Sequence, residues 1–221
     1  MTIKNLGLLR LGDKSTLLYI NELKAAYSRV SKCTFPVTIV NTDFTIINDL
    51  LPTPSKQLDE ILQKHIDELC ALNIKAVLIP NITLHETIDR LKIKVPIIHP
   101  LHLTISEIKR DNQNEVVLFG SKYTMQSNYI KSIFEANNIK TLLPTSSEMQ
   151  QIDDIRRQVY LDKTSDDLLD SFHLLIEKYA KTSSIIIACT ELSLVLPSKG
   201  VNIFDMARIQ INEASTIMNN S

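Results

Sequence analysis

Residues 185–192 read IIIACTEL, three isoleucines and an alanine running straight into Cys-Thr-Glu. A β-branched apolar run that stops at small polar residues predicts a buried strand ending in a loop. A second stretch, LIPNITLHE at 78–86, has the same form: an apolar run, then Asn81, Thr83 and His85. Neither run alternates apolar with polar residues. Strands of that kind have both faces covered, which points to parallel sheets in an α/β fold.

The flanking segments agree. IKNLGLLRL reads as a first strand, and STLLYINELKAAYSRV has helical spacing, with Leu17, Ile20, Leu23 and Tyr27 on one face. PVTIVNTDF is β-branched and predicts a strand, after which the two prolines of LLPTPS break structure. KQLDEILQKHIDELCALNI carries Leu58, Ile61, Leu62, Ile66 and Leu69 as one stripe of a helix. KAVLIP predicts a strand, TLHETIDRLKI a helix and VPIIHP a further strand. The order then recurs: EVVLFG strand, MQSNYIKSIFEANNI helix, KTLLPT strand, two helices between about 147 and 181, SSIIIACT strand, a short strand at VNIF and a closing helix in DMARIQINEASTIMN. The element order predicts two similar α/β parallel-sheet halves, packed closely with a cleft between them. The first half spans 1–105 and is completed by the C-terminal helix 205–219; the second spans 106–204. In such sheets ligands sit beyond the carboxyl ends of the strands, which is where both opening stretches lead.

Composition narrows the function classes. Apolar residues make up 44% of the 221 residues, enough for a substantial core, and the formal net charge is −1 with both signs interspersed. No basic stripe suggests nucleic acid. No run approaches the roughly 18 apolar residues of a membrane span, and MTIKNLGLLRLG lacks the form of a signal peptide. Cys33, Cys70 and Cys189 are odd in number and widely spaced, so neither a disulfide framework nor a thiol metal site is expected. A reducing cytoplasm suits such thiols.

Each candidate residue has a structural reading beside the functional one. A cysteine is often a small buried side chain, but Cys189 at a strand end before Thr190 and Glu191 is placed for chemistry. Cys70 falls on the amphipathic helix and reads as core. Thr83 and Thr190 suit helix capping and also carboxylate binding. His85 is a first-turn residue that could move a proton. Ser121 and Thr124 follow the strand EVVLFG and could bind a carboxylate or make a local turn. Asp43 and Asp205 are loop acids or pocket walls. His99 and His102 form H-x-x-H, but Pro100 between them and the lack of a nearby carboxylate in sequence favour a structural role over a metal site.

Taken together these segments resemble the aspartate/glutamate racemase superfamily. Its first loop reads P-C-N-T-A-H, matched here by Pro80, Thr83 and His85; its second reads G-C-T-E, matched by Cys189, Thr190 and Glu191. Gly7 and Thr16, NTDF at 41–44, VPIIHP at 95–100, Gly120 with Ser121 and Thr124, and Asp205 are similar to further family positions. The resemblance implies two similar Rossmann-like parallel-sheet halves with the active site in the cleft between them, and cofactor-independent racemisation or isomerisation of an amino acid. A thiol base removes the Cα proton and a second thiol on the opposite face returns one. A thiol titrates near about 8.5 unperturbed and is tuned by neighbouring charge. Asn81, as a hydrogen-bond donor, with Thr83, Thr190, Glu191, Ser121, Thr124 and Arg10 would then line the substrate. The implied ligand is an amino acid or dicarboxylic acid, with no cofactor and no metal, and the resemblance also implies a homodimer.

This chain departs from the pattern at two places. Asn81 stands where the first cysteine belongs, and a side-chain amide moves no protons near neutral pH. The family's G-G-x-G segment is replaced by RLGD at 10–13, where Arg10 offers a bidentate carboxylate ligand instead. Three readings follow. Cys189 and His85 could serve as the two bases. Cys189 could act alone, as in a single-thiol decarboxylase. Or the pocket could bind an amino acid or dicarboxylate without turning it over.

Overall fold

A computed structural model describes residues 5–28, 35–197 and 202–219. Cys33 lies outside the described residues. The chain separates into two compact units, one formed by Met1–His99 with Gln210–Ser221 and the other by Pro100–Ile209.

The first unit contains β1 (Asn5–Arg10), α1 (Asp13–Ser28), β2 (Val37–Asn41), α2 (Phe44–Leu50), α3 (Lys56–Cys70), β3 (Ile74–Leu78) and α4 (His85–Ile88). Its three strands are parallel in the order β2-β1-β3. The central strand is close-packed: a Cβ added to Gly7 would lie 2.8 Å from Ile74 Cδ1 and 3.2 Å from Leu69 Cδ2, so those two side chains would have to give way to a larger residue. The stripe anticipated on α3 does face inward. Leu58, Leu62, Ile66 and Leu69 are buried with Leu9, Val77, Ile79 and Ile88, and Cys70 packs half-buried against this cluster.

The second unit contains α5 (Pro100–Arg110), β4 (Glu115–Gly120), α6 (Lys122–Met125), α7 (Asn128–Ala136), β5 (Lys140–Leu142), α8 (Ser146–Tyr160), α9 (Asp166–Ala180), β6 (Ser184–Ala188), α10 (Thr190–Ser193) and β7 (Ile203–Asp205); α11 (Met206–Asn219) follows. The sheet is parallel, ordered β5-β4-β6-β7. All five residues of β6 are buried, as its unbroken apolar run requires. The α/β fold with two parallel sheets is thus the one anticipated.

Three local expectations fail for identifiable reasons. VPIIHP is not a full strand. It makes one isolated parallel bridge, Val77 with Ile97, through Val77 N to Pro96 O at 2.8 Å and Ile98 N to Val77 O at 2.9 Å. Pro96 has no N–H to extend the ladder, and Pro100 already opens α5. The helix anticipated over 83–93 is only the single turn of α4. Conversely, Phe44 does not extend β2. Asp43 ends the strand by capping α2, accepting from Thr45 N at 3.1 Å and Ile46 N at 3.4 Å.

Candidate functional site

In the second unit the apolar run of β6 ends at Ala188, and Cys189 is the N-cap residue of α10, in an extended conformation. Its side chain makes no capping bond, so the sulfur is available for another partner. Cys189 Sγ donates to Glu191 Oε2 at 3.0 Å, and Thr190 Oγ1 donates to the same oxygen at 3.3 Å. The loop is fixed from behind. Ser193 Oγ lies 3.1 Å from the Cys189 carbonyl and 2.8 Å from Asp205 Oδ1. Asp205 in turn accepts from Ala207 N at 3.0 Å and pairs with Arg208 Nη1 at 2.8 Å. Burial raises the Asp205 carboxyl above its ordinary range, against the pull of Ser193 and Arg208.

The adjacent strand end belongs to the same neighbourhood, since Gly120 of β4 is the register partner of Ala188. A Cβ on Gly120 would come within 3.2 Å of Thr124 and 3.3 Å of the Ala188 carbonyl, so any side chain there would press on both strand ends. Ser121 caps α6, accepting from Thr124 N at 3.1 Å, and its hydroxyl lies 2.8 Å from Thr124 Oγ1. These two residues therefore build a local turn beside the Cys189 loop, with Thr124 buried.

Two residues that sequence inspection did not single out complete the cluster. Asp153 and Arg156 sit on α8, which packs against α6, α10 and β4. Asp153 is buried yet charged: Arg156 Nε lies 2.9 Å from Oδ1, Arg157 Nη2 2.9 Å from Oδ2, and Lys122 N donates to Oδ1 at 3.2 Å. Burial alone would raise its pKa, but these donors outweigh it and hold the carboxyl below its usual range. Arg156 also lies within electrostatic reach of Cys189 and Glu191. Burial opposes its charge; Cys189, Asp153 and Glu191 favour it and prevail. For Cys189 the balance runs the other way. Burial pushes the thiol well above its ordinary pKa, the Glu191 carboxylate adds to that, and Arg156 opposes. The resting group is a thiol that donates to a carboxylate. The trace of this cluster in sequence is IDDIRRQV at 152–159, where an acid precedes arginines by three and four residues on one helix face.

The first unit's loop is built differently. Asn81 Oδ1 accepts from Leu84 N at 3.1 Å, so Asn81 closes the turn into α4. The Asn81 carbonyl lies 2.9 Å from His85 Nδ1. A carbonyl only accepts, so His85 carries its proton on Nδ1. The ring is 0% exposed and packs edge-on against His99, centroids 4.7 Å apart. Burial, reinforced by His99, lowers its pKa from 6.5 to about 3. His99 Nε2 lies 3.3 Å from Asp89 Oδ1. Thr83 is half-buried in the same turn. Arg10, at the end of β1, is exposed and pairs with Asp13 at 3.1 Å. Within each unit, then, Cys189, Thr190 and Glu191 form one cluster beside Ser121 and Thr124, and Asn81, Thr83 and His85 share one turn.

The comparisons with known proteins fit this arrangement. The chain superposes on a candidate Asp/Glu racemase from Yersinia pestis with a TM-score of 0.85 at 21% identity, covering 98% of this chain and 99% of that one. An aspartate racemase homologue from Pyrococcus horikoshii OT3 gives 0.83 at 21% identity, covering 98% and 99%. Picrophilus torridus aspartate racemase gives 0.76 at 17%, covering 96% and 94%. At these identities the likeness is one of fold. Among curated proteins no match is found. The sequence description of the Asp/Glu/Hydantoin racemase family matches residues 11–214. That match takes in both strand-end loops and nearly the whole chain, and the chain belongs to the Asp/Glu/Hydantoin racemase family.

Proposed function

We propose that this chain is a cofactor-independent racemase or isomerase acting at the Cα of an amino acid, with Cys189 as the proton-transfer group. The observation that carries this reading is the Cys189 Sγ–H bond to Glu191 Oε2 at 3.0 Å, placed at the end of a buried parallel strand. A thiol so held is ready to give its proton to a planar carbanion. For the reverse step the S–H proton passes to the Glu191 carboxylate. The thiolate electron pair then takes the Cα proton, and the C–H bonding pair moves into the substrate carboxylate as an enolate. Thr190, Thr83 and neighbouring backbone N–H groups would hold the substrate carboxylate, and the substrate class is an amino acid or dicarboxylic acid.

Asn81 and His85 favour a one-thiol variant of this chemistry. The Asn81 amide oxygen is committed to Leu84 N, and His85 is buried, neutral and without exposed surface. Cys189 working alone would exchange or protonate one face of the carbon, as a decarboxylase that protonates its own product does.

The test is deuterium incorporation at Cα, followed by NMR in D₂O over L- and D-amino acids including aspartate and glutamate. Exchange that falls at least about 100-fold in Cys189→Ser, with the circular dichroism spectrum unchanged, supports Cys189 as the proton-transfer group. Exchange equal to wild type in that variant removes it from the role. Exchange of a single enantiomer identifies the one-thiol chemistry. No exchange with any amino acid, together with ligand-induced stabilisation, identifies a binding protein.

A further inference from the structure

We propose that Arg156 is a positioning residue for Cys189, supplying the positive charge against which the Cys189–Glu191 pair shuttles its proton. The inference rests on the proton-transfer role assigned above. Its basis is the build of the cluster. The Cys189–Glu191 pair holds one negative charge in a mostly buried loop, whichever atom carries the proton. On α8, which packs against α10 and is tied to the start of α6 through Asp153, two arginines share the single buried carboxylate of Asp153 and leave one positive charge in excess. Arg157 is 58% exposed and points that excess at solvent, whereas the Arg156 side chain is 23% exposed. Asp153 holds Arg156 through Nε alone, at 2.9 Å, and no other hydrogen bond of Arg156 is made among the described residues. The Nη edge of the guanidinium is therefore not committed to the anchor. Asp153 itself is fixed by Lys122 N at the start of α6. The guanidinium is thus anchored at one edge, partly desolvated and charged at any working pH, which suits it to stabilise a nearby thiolate.

The other charged groups around Cys189 do not take this part. Glu191 has the wrong sign, Arg208 is paired with Asp205, and the Lys122 ammonium reaches away to Gln150 at 3.0 Å. Removing the Arg156 charge would therefore leave the thiolate without its counter-charge, while the packing of β6 is untouched.

The experiment follows Cys189 directly. Alkylation by iodoacetamide is measured at pH 8, with the Cys189 peptide resolved from those of Cys33 and Cys70 by mass spectrometry. Alkylation needs the thiolate, so its rate reports the thiolate fraction; one unit of pKa is a factor of ten. Arg156→Met is expected to slow Cys189 alkylation about tenfold, and Arg156→Lys, which keeps the charge, to stay within about twofold of wild type. Arg156→Gln, whose amide still reaches Asp153, repeats the loss if the Met variant does not fold. An unchanged rate in the Met or Gln variant overturns the proposal. So does equal slowing in Arg156→Lys, because packing rather than charge would then be responsible. Alkylation is independent of turnover. If wild type exchanges no amino acid but the charge variants slow alkylation, the racemase reading falls and the Arg156 assignment stands. If wild type exchanges and alkylation is unmoved, the reverse holds.

Discussion

Single residues at the two strand ends show how one position can keep the fold and change the chemistry. Asn81 occupies a thiol position, yet its amide does structural work by closing the turn to Leu84. His85 matches the family motif in sequence, but folding buries it against His99 and keeps it neutral. That burial has a pH signature. The folded-state pKa, about 3, is below the unfolded value of 6.5, so the unfolded chain binds a proton first as the pH falls. Stability from this residue is full above about pH 6.5 and is lost progressively down to about 3. Denaturant melts of wild type should show this slope, and His85→Gln should flatten it by close to one proton over that window. An identical slope in the variant would mean that His85 is protonated in the folded chain. Cys189 was legible because a cysteine followed by Thr-Glu at a strand end is an unusual place for a core residue. Arg156 on α8 was not, since an arginine on an amphipathic helix ordinarily faces water.

Among elements, α8 carries the most. Its start is a capping box, with Thr145 Oγ1 accepting from Glu148 N and Glu148 Oε2 accepting from Thr145 N at 3.1 Å. The same carboxylate ties α8 to α9, accepting from Lys178 Nζ at 2.5 Å and Tyr179 OH at 2.7 Å. Burial would raise its pKa, but Lys178, Thr145 and Tyr179 together lower it from 4.5 to about 2. A depressed carboxylate stabilises above its unfolded pKa and ceases to do so as the pH falls through the folded one. Glu148→Gln should cost about 1–2 kcal/mol at neutral pH in urea melts and converge on wild type below about pH 2. A constant difference down to acid would show that shape, not charge, holds the helices. Because Asp153 and Arg156 follow on this helix, misplacing its first turn also moves that ion pair. Helix α3 illustrates the legible case, since its apolar stripe was readable from spacing alone. The single turn α4 illustrates the opposite: residues 83–93 have helical composition, yet only His85–Ile88 is helical.

At the scale of the whole molecule, the chain returns to its first unit after completing the second. Gln210 is fully buried and marks that return: it accepts from Tyr19 OH at 2.6 Å and donates to the Ile98 carbonyl. A buried polar pair of this kind is specific in partner and register. Gln210→Met keeps the volume and loses both bonds, so it should lower stability by about 2–3 kcal/mol, read as a reduced urea midpoint. A loss below about 0.5 kcal/mol would show that water replaces the amide. Among the described residues no helix is long and apolar enough to cross a membrane.

What the sequence determined alone was the alternation of strands and helices, the parallel sheets and the two loops worth inspecting. Those follow from local periodicity and β-branched runs, which depend on neighbours a few residues apart. It also placed the thiol, because Cys-Thr-Glu at a strand end is itself a local pattern. Only the tertiary structure decided that VPIIHP is a single bridge, that His85 is buried against His99, and that α8, with its Asp153–Arg156 pair, packs against the turn that follows Cys189. Burial and charge proximity are properties of residues brought together by packing, and periodicity along the chain carries no record of which ones meet.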